Sequence, residues 1–148
     1  MWPAFSKLEL FGKDPTGKVS MDYNKVIDGV LFEGGATVSV IGQELPSEGF
    51  VVSLGGQFGE IIPNRFISNR NTFREVLVRF SVRFSSELSR RNHYLGAWEE
   101  GDDLYLDVVE VIQDRQQAIS AGQDRDQKAI WGLAQAELVE TGGSGKVR

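Results

Sequence analysis

The chain contains no cysteine and one histidine, His93. Without cysteine there is no disulfide staple, no zinc-thiolate site and no thiol nucleophile. A single histidine excludes a His-rich metal centre and leaves one candidate for imidazole acid–base chemistry. No apolar run approaches the roughly 20 residues that span a bilayer, so no membrane partner is expected. Met1-Trp2-Pro3-Ala4-Phe5 lacks a basic stretch followed by an apolar one, and no secretory signal is expected. Nucleophile-elbow, Walker A, dinucleotide and H-E-x-x-H patterns are all missing. The pairs Gly34-Gly35 and Gly55-Gly56 read as turns, not phosphate cradles, and no cofactor is expected.

What is present is a 148-residue chain, 41% hydrophobic and 25% charged, with a net charge of −5. These proportions describe one folded domain. The acidic total argues against duplex nucleic acid as a partner, because such binding rests on counterion release by a basic surface. The total conceals a division. Residues 65–91 hold seven arginines against Glu75 and Glu87, net +5. Residues 92–114 hold seven acids and no Lys or Arg, net −7. Either the two blocks satisfy each other or they face different partners.

Periodicity divides the chain into elements. Phe5–Phe11 alternates like a half-buried strand, and residues 12–17 with Asp14-Pro15 read as a loop. Val26–Phe32 fits a short strand or a helical turn. Residues 36–41, 50–54 and 58–62 read as strands, the last ended by Pro63. Thr72–Arg91 is predicted as one long helix with a Thr72/Glu75 capping box. Its Phe73, Val76, Leu77, Phe80, Phe84 and Leu88 fall within about 120°. Val78 and Val82 lie on the other side, which suggests contacts on two faces or a partner covering the second one. Residues 94–98 and 104–111 form a predicted hairpin around an acidic turn, with Leu104, Leu106 and Val108 on one face and Tyr105, Asp107 and Val109 on the other. Asp114 is a predicted N-cap with Gln117 at N3, opening a helix to about Asp126. Residues 129–133 and 136–140 form a last hairpin.

The expected architecture is α+β: a mostly antiparallel sheet of hairpins packed on one long amphipathic helix and one short helix. A single domain spans 1–141, with 1–35 weakly assigned, and 142–148 reads as a flexible tail.

Four candidate sites emerge. Arg79, Arg83 and Arg90 line one helix flank within roughly 40°. They suit phosphate or carboxylate recognition, or form a solvated flank paired with the acidic hairpin. Glu99, Glu100, Asp102 and Asp103 crowd one turn. Their spacing does not match an EF-hand, so no metal is assigned. The turn is a solvated one, or a patch that docks on a basic partner. Asp107 lies mid-strand among apolar neighbours and needs a partner, with Arg115 or Arg125 as candidates. His93 follows Arg90-Arg91-Asn92 at a helix end, where it would cap. Trp98 and Trp131 read as core. Trp2, Pro3 and Phe5 form an apolar cluster that packs on the body or serves as an interaction arm.

The segments His93–Trp98, Asp103–Val108, Asp114-Arg115, Ala118-Ile119, Asp124–Trp131 and Thr141–Gly143, together with Ser47–Leu54, resemble a module of small phage and prophage proteins. The same module occurs inside large polyvalent proteins of phages and conjugative elements. The resemblance covers about two thirds of the chain and carries no catalytic residue. It implies a phage-encoded accessory protein, acting in the bacterial cytoplasm of an infected host or in the virion. With no catalytic motif, binding to a host or virion protein is favoured over catalysis. The surfaces expected to carry it are Arg79, Arg83 and Arg90 and the Glu99–Asp103 turn. A homo-oligomer is compatible with this reading. Two alternatives stand beside it. One is a small enzyme acting on a nucleotide or peptide, which requires Asp107, Arg115, Arg125 and His93 to converge in one cleft. The other is an acidic decoy for a DNA-binding host protein, which requires the acids of 99–110 to form one exposed patch.

Overall fold

The computed structural model describes residues 11–13, 19–21 and 23–147. The Trp2 cluster, most of the Phe5–Phe11 strand and the 14–18 loop lie outside the described residues. Phe11–Lys13 (β1) and Val19–Met21 (β2) form a two-stranded antiparallel ribbon. Tyr23–Glu33 (α1) follows, so the ambiguous 26–32 segment is helical, with Val26, Ile27 and Val30 buried on one side.

The remaining strands form one sheet. They are Gly35–Val38 (β3), Phe50–Ser53 (β4), Gly59–Pro63 (β5), His93–Glu100 (β6), Asp103–Ile112 (β7), Ala129–Gly132 (β8) and Glu137–Glu140 (β9). Their order is β3-β6-β7-β4-β8-β9, with β5 also on β7, and each described pairing is antiparallel. This is the expected α+β class with an antiparallel sheet.

β7 organises the sheet. One of its edges pairs with β6 along eight residues, from His93↔Glu110 to Glu100↔Asp103. Its other edge is shared. Asp103 to Asp107 pairs with β5, and Val109 to Ile112 pairs with β4. The β6–β7 turn places Gly101 at φ +60°, in the left-handed region that glycine enters without a Cβ penalty. The acidic residues therefore flank a tight turn, and both strands run longer than the sequence alternation suggests.

The long helix is corrected. Helix α2 spans Arg70–Arg83, and one further turn, Ser85–Leu88 (α3), follows. Phe84 leaves helical geometry, with φ −108° and ψ 28°. Its ring packs 4.9 Å from Phe80 and 6.2 Å from Phe58. Two serines follow it, whose hydroxyls compete with helical hydrogen bonds. The start is also displaced. Asn69, not Thr72, caps α2, its Oδ1 accepting from the N–H groups of Asn71 and Thr72 at 2.9 and 3.2 Å. Asp114 does cap Arg115–Asp124 (α4), accepting from Gln117 N–H at 2.9 Å.

The register assigns the faces. Leu95, Ala97, Leu104, Leu106 and Val108 face α1, α2 and α3, and form the main core with Phe73, Leu77, Phe80, Phe84 and Leu88. On the same face further along, α4 closes over Val52 and Ile130 through Ala118. On the opposite face, Val51, Tyr94, Val109, Val111 and Trp131 form a smaller cluster against Leu45. The loop carrying Leu45 is pinned there, because Tyr94 O–H donates to the Glu44 carbonyl at 3.1 Å.

Among the described residues nothing covers the second face of α2, where Val78 and Val82 are exposed. Val82 is 69% exposed and Phe80 is 0% exposed. Phe80→Ala should therefore cost about 3–5 kcal/mol of unfolding free energy, and Val82→Ala less than about 0.5 kcal/mol. Chemical denaturation with a common m-value checks both.

Candidate functional site

The face opposite the helices holds a cavity of about 470 Å³. Its floor is the β6–β7 hairpin, through Trp98, Tyr105 and Asp107. Lys128 and the β8–β9 hairpin supply a wall with Ala129, Leu138 and Glu140. Residues 142–147 complete it. This last segment hydrogen-bonds back onto the 126–127 backbone. Gly143 N–H donates to the Gln127 carbonyl at 2.9 Å, and Gly145 N–H to the Asp126 carbonyl at 2.8 Å. Ser144 binds the Asp126 carboxylate through both its N–H and its hydroxyl. A Cβ on Gly143 would lie 2.4 Å from the Asp126 carbonyl carbon, so only glycine permits this approach. The glycines that look like linker composition serve close packing here.

Asp107 sits where β7 changes partners. Across one edge it faces Gly96 of β6, and across the other Gly59 of β5. Two residues without side chains thus flank it in the sheet. A Cβ on Gly59 would come within 2.6 Å of Asp107 Oδ1. Gly59 has extended backbone, φ −140°, so space and not conformation calls for glycine. Next to it, β4 ends at Ser53, whose hydroxyl donates to Asp107 Oδ1 at 3.3 Å. The Trp98 indole N–H donates to Oδ2 at 3.5 Å. Both bonds are long for a carboxylate.

Among the described residues no cation answers this carboxyl group. Arg125 was a candidate, but it pairs with Glu110 at 2.9 Å and donates to the Ser53 carbonyl at 3.0 Å. Arg115, the other candidate, pairs with Glu137 at 2.7 Å. The expected ion pair is therefore replaced by two neutral donors. The group is 7% exposed. Burial pushes its pKa up to about 6, while the Trp98 and Ser53 hydrogen bonds hold it down only in part.

Aromatic surface surrounds the acid. Trp98 stacks on Tyr105 with ring centroids 4.4 Å apart and planes 18° apart. Trp98 is thus only half in the core, since it lines the cavity. Lys128 Nζ lies 5.5 Å from the Tyr105 centroid and 3.2 Å from Glu100 Oε2. The Glu100 hydrogen bond raises the lysine pKa.

The sequence-predicted residues divide. Glu99 and Glu100 line the cavity, and Asp102 and Asp103 stand at the hairpin end. Arg79 and Arg83 border a separate groove with Val78, Val82, Glu60 and Ile62, and Arg83 pairs with Glu60 at 2.6 Å. Arg90 lies beyond the break at Phe84, so the three arginines do not share one helix. Among the described residues no ion pair joins the 65–91 arginines to the 99–103 acids. His93 Nδ1–H donates to the Glu87 carbonyl at 2.8 Å, a cap on the preceding turn. Of Asp107, Arg115, Arg125 and His93, only Asp107 lines the cavity. The acids of 99–110 form no single patch, because Asp107 is buried and Glu110 is held on the helix side by Arg125. Among the described residues no group of three or more carboxylate or imidazole side chains is placed to hold a metal ion. No described helix is long and apolar enough to cross a membrane. No family model, curated protein or solved structure matches the chain.

The buried acid has a stability signature. Its folded pKa, about 6, lies above its unfolded value of 3.8. Folding therefore favours the protonated form: that stabilisation is full below the unfolded pKa and is lost as pH rises through about 6. The ionisation penalty is about 3 kcal/mol, at roughly 1.4 kcal/mol per tenfold change in equilibrium. Asp107→Asn removes it. The stability difference between variant and wild type should shift toward the variant by up to about 3 kcal/mol between pH 4 and pH 8. Denaturant midpoints across that range check it, and a pH-independent difference refutes it.

Proposed function

We propose that this chain acts by binding, with the cavity above Asp107 as its ligand site. One observation carries the reading: a buried carboxyl group with no cationic partner among the described residues forms the floor of an aromatic-lined cavity. Structural acids in a folded core are paired, because an unpaired charge in low dielectric is costly. Here the sheet spends two cross-strand glycines, Gly96 and Gly59, to accommodate one. Apolar walls around a few convergent polar groups are the usual build of a small-ligand site, and a volume of about 470 Å³ suits one. A catalytic reading is weaker. The Asp107 carboxyl has Ser53 and Trp98 as its hydrogen-bonding neighbours, and neither supplies a second acid–base group.

The resemblance of residues 47–54 and 93–143 to the phage and prophage module supplies the setting. In this reading the chain is a phage-encoded accessory protein, either in the virion or engaging a host factor. Ligand capture in the cavity is its elementary act.

Equilibrium dialysis against a small-molecule extract of bacterial cytosol, with mass spectrometry of what is retained, tests the site. Wild type should retain a ligand that Leu138→Trp does not. Leu138 is half-exposed on an edge strand and lines the cavity, so the larger ring fills the site without entering the core. Equal retention by both proteins places the ligand elsewhere.

A further inference from the structure

We infer that the cavity floored by Trp98, Tyr105 and Asp107 takes a small organic cation: an amine, amidine or guanidine carried on an apolar body. The inference rests on the binding reading above and names its ligand class.

Charge comes first. Among the described residues the lining carries four carboxyl groups, Glu99, Glu100, Asp107 and Glu140, and two ammonium groups, Lys128 and Lys146. The Lys128–Glu100 pair is internally matched at 3.2 Å. What is left is an excess of two acids around an enclosed floor. A phosphate or carboxylate ligand meets repulsion there, and a cation meets attraction. Nucleotides are disfavoured on that ground.

Shape and chemistry agree. The Asp107 oxygens each accept one long hydrogen bond and have lone pairs to spare. A carboxylate with open lone pairs suits a donor-rich head such as an amidinium or guanidinium, which it can bind in bidentate fashion. The acid lies on the same sheet face as the stacked Trp98–Tyr105 pair. Aromatic surface attracts cations through the ring quadrupole and also covers an apolar body. Lys128 already stands 5.5 Å from the Tyr105 centroid, a cation on that surface from within the chain. Carbon surface from Leu138, Ala129 and Val147 supplies the rest of the wall.

Three probes of equal shape and different charge test the class: benzamidine, benzamide and benzoate. Each is titrated into full-length protein, with binding read by calorimetry and the site by amide and indole NMR shifts. Benzamidine should bind at least tenfold more tightly than the other two and move the signals of Trp98, Gly96 and Lys128. Asp107→Asn, with its folding verified by thermal melting, should weaken benzamidine at least tenfold. The comparison of probes on wild type stands even if that variant fails to fold. Benzamide or benzoate binding the same residues as well as benzamidine overturns the cation class while preserving the cavity as a ligand site. Absence of shifts at cavity residues with all three at millimolar concentration also overturns it. The extract retention experiment, which is blind to charge, then decides separately whether the cavity binds any ligand.

Discussion

The structure depends on the divided pairing of β7. A ten-residue strand holds β6 along one edge and two short strands, β5 and β4, along the other. β4 and β5 run in the same direction along that edge, and the chain between them leaves the sheet at Ser53 and returns at Gly59. A main-chain bond spans the change, Leu54 N–H to the Val108 carbonyl at 2.9 Å. On the helix side the interruption is hidden beneath Leu106 and Val108 in the main core. On the other side it exposes Asp107 to a cavity.

The two faces of the sheet thus have different tasks. One face is filled by aromatic and aliphatic side chains from α1 to α4, and its burial stabilises the fold. The opposite face is only partly filled. Val51, Tyr94, Val109 and Trp131 pack under the Leu45 loop at one end, and the 142–147 segment lies along the other. Among the described residues, the cavity lies between them. Placing a carboxyl group there opposes stability, and local rules broken at a single position are where function is expected. The net charge takes on a new meaning in this frame. The basic helix and the acidic hairpin do not neutralise each other; part of the acidic block lines the cavity.

Much of the fold was legible in the sequence. Alternation in 104–109 assigned both faces of β7 correctly, and Asp114 with Gln117 announced α4. The β8–β9 hairpin followed from its two apolar runs. The break at Phe84 was not legible, since the apolar stripe continues smoothly through Leu88 and the packing of the Phe84 ring on Phe80 and Phe58 is a tertiary contact. The capping residue was missed because Asn69 and Thr72 are both good acceptors, and only the start at Arg70 chooses between them. Asp107 was singled out for its apolar neighbours, yet its surroundings were not foreseeable. Ser53, Gly59 and Gly96 reach it only through strand register, and a single sequence carries no register between distant strands. The 142–147 segment has the composition of a linker, and its glycines reveal their packing role only against Asp126 and Gln127.

The central claim is that Asp107 is a buried carboxyl group with no cationic partner among the described residues. Following the carboxyl carbon of Asp107 by NMR across a pH titration measures this without reference to stability or ligand. A midpoint near 6, far above that of an exposed aspartate, is the result this structure predicts. A midpoint at or below 4 would contradict it, since such a value requires water, a positive charge or stronger hydrogen bonds at the carboxylate than Ser53 and Trp98 supply.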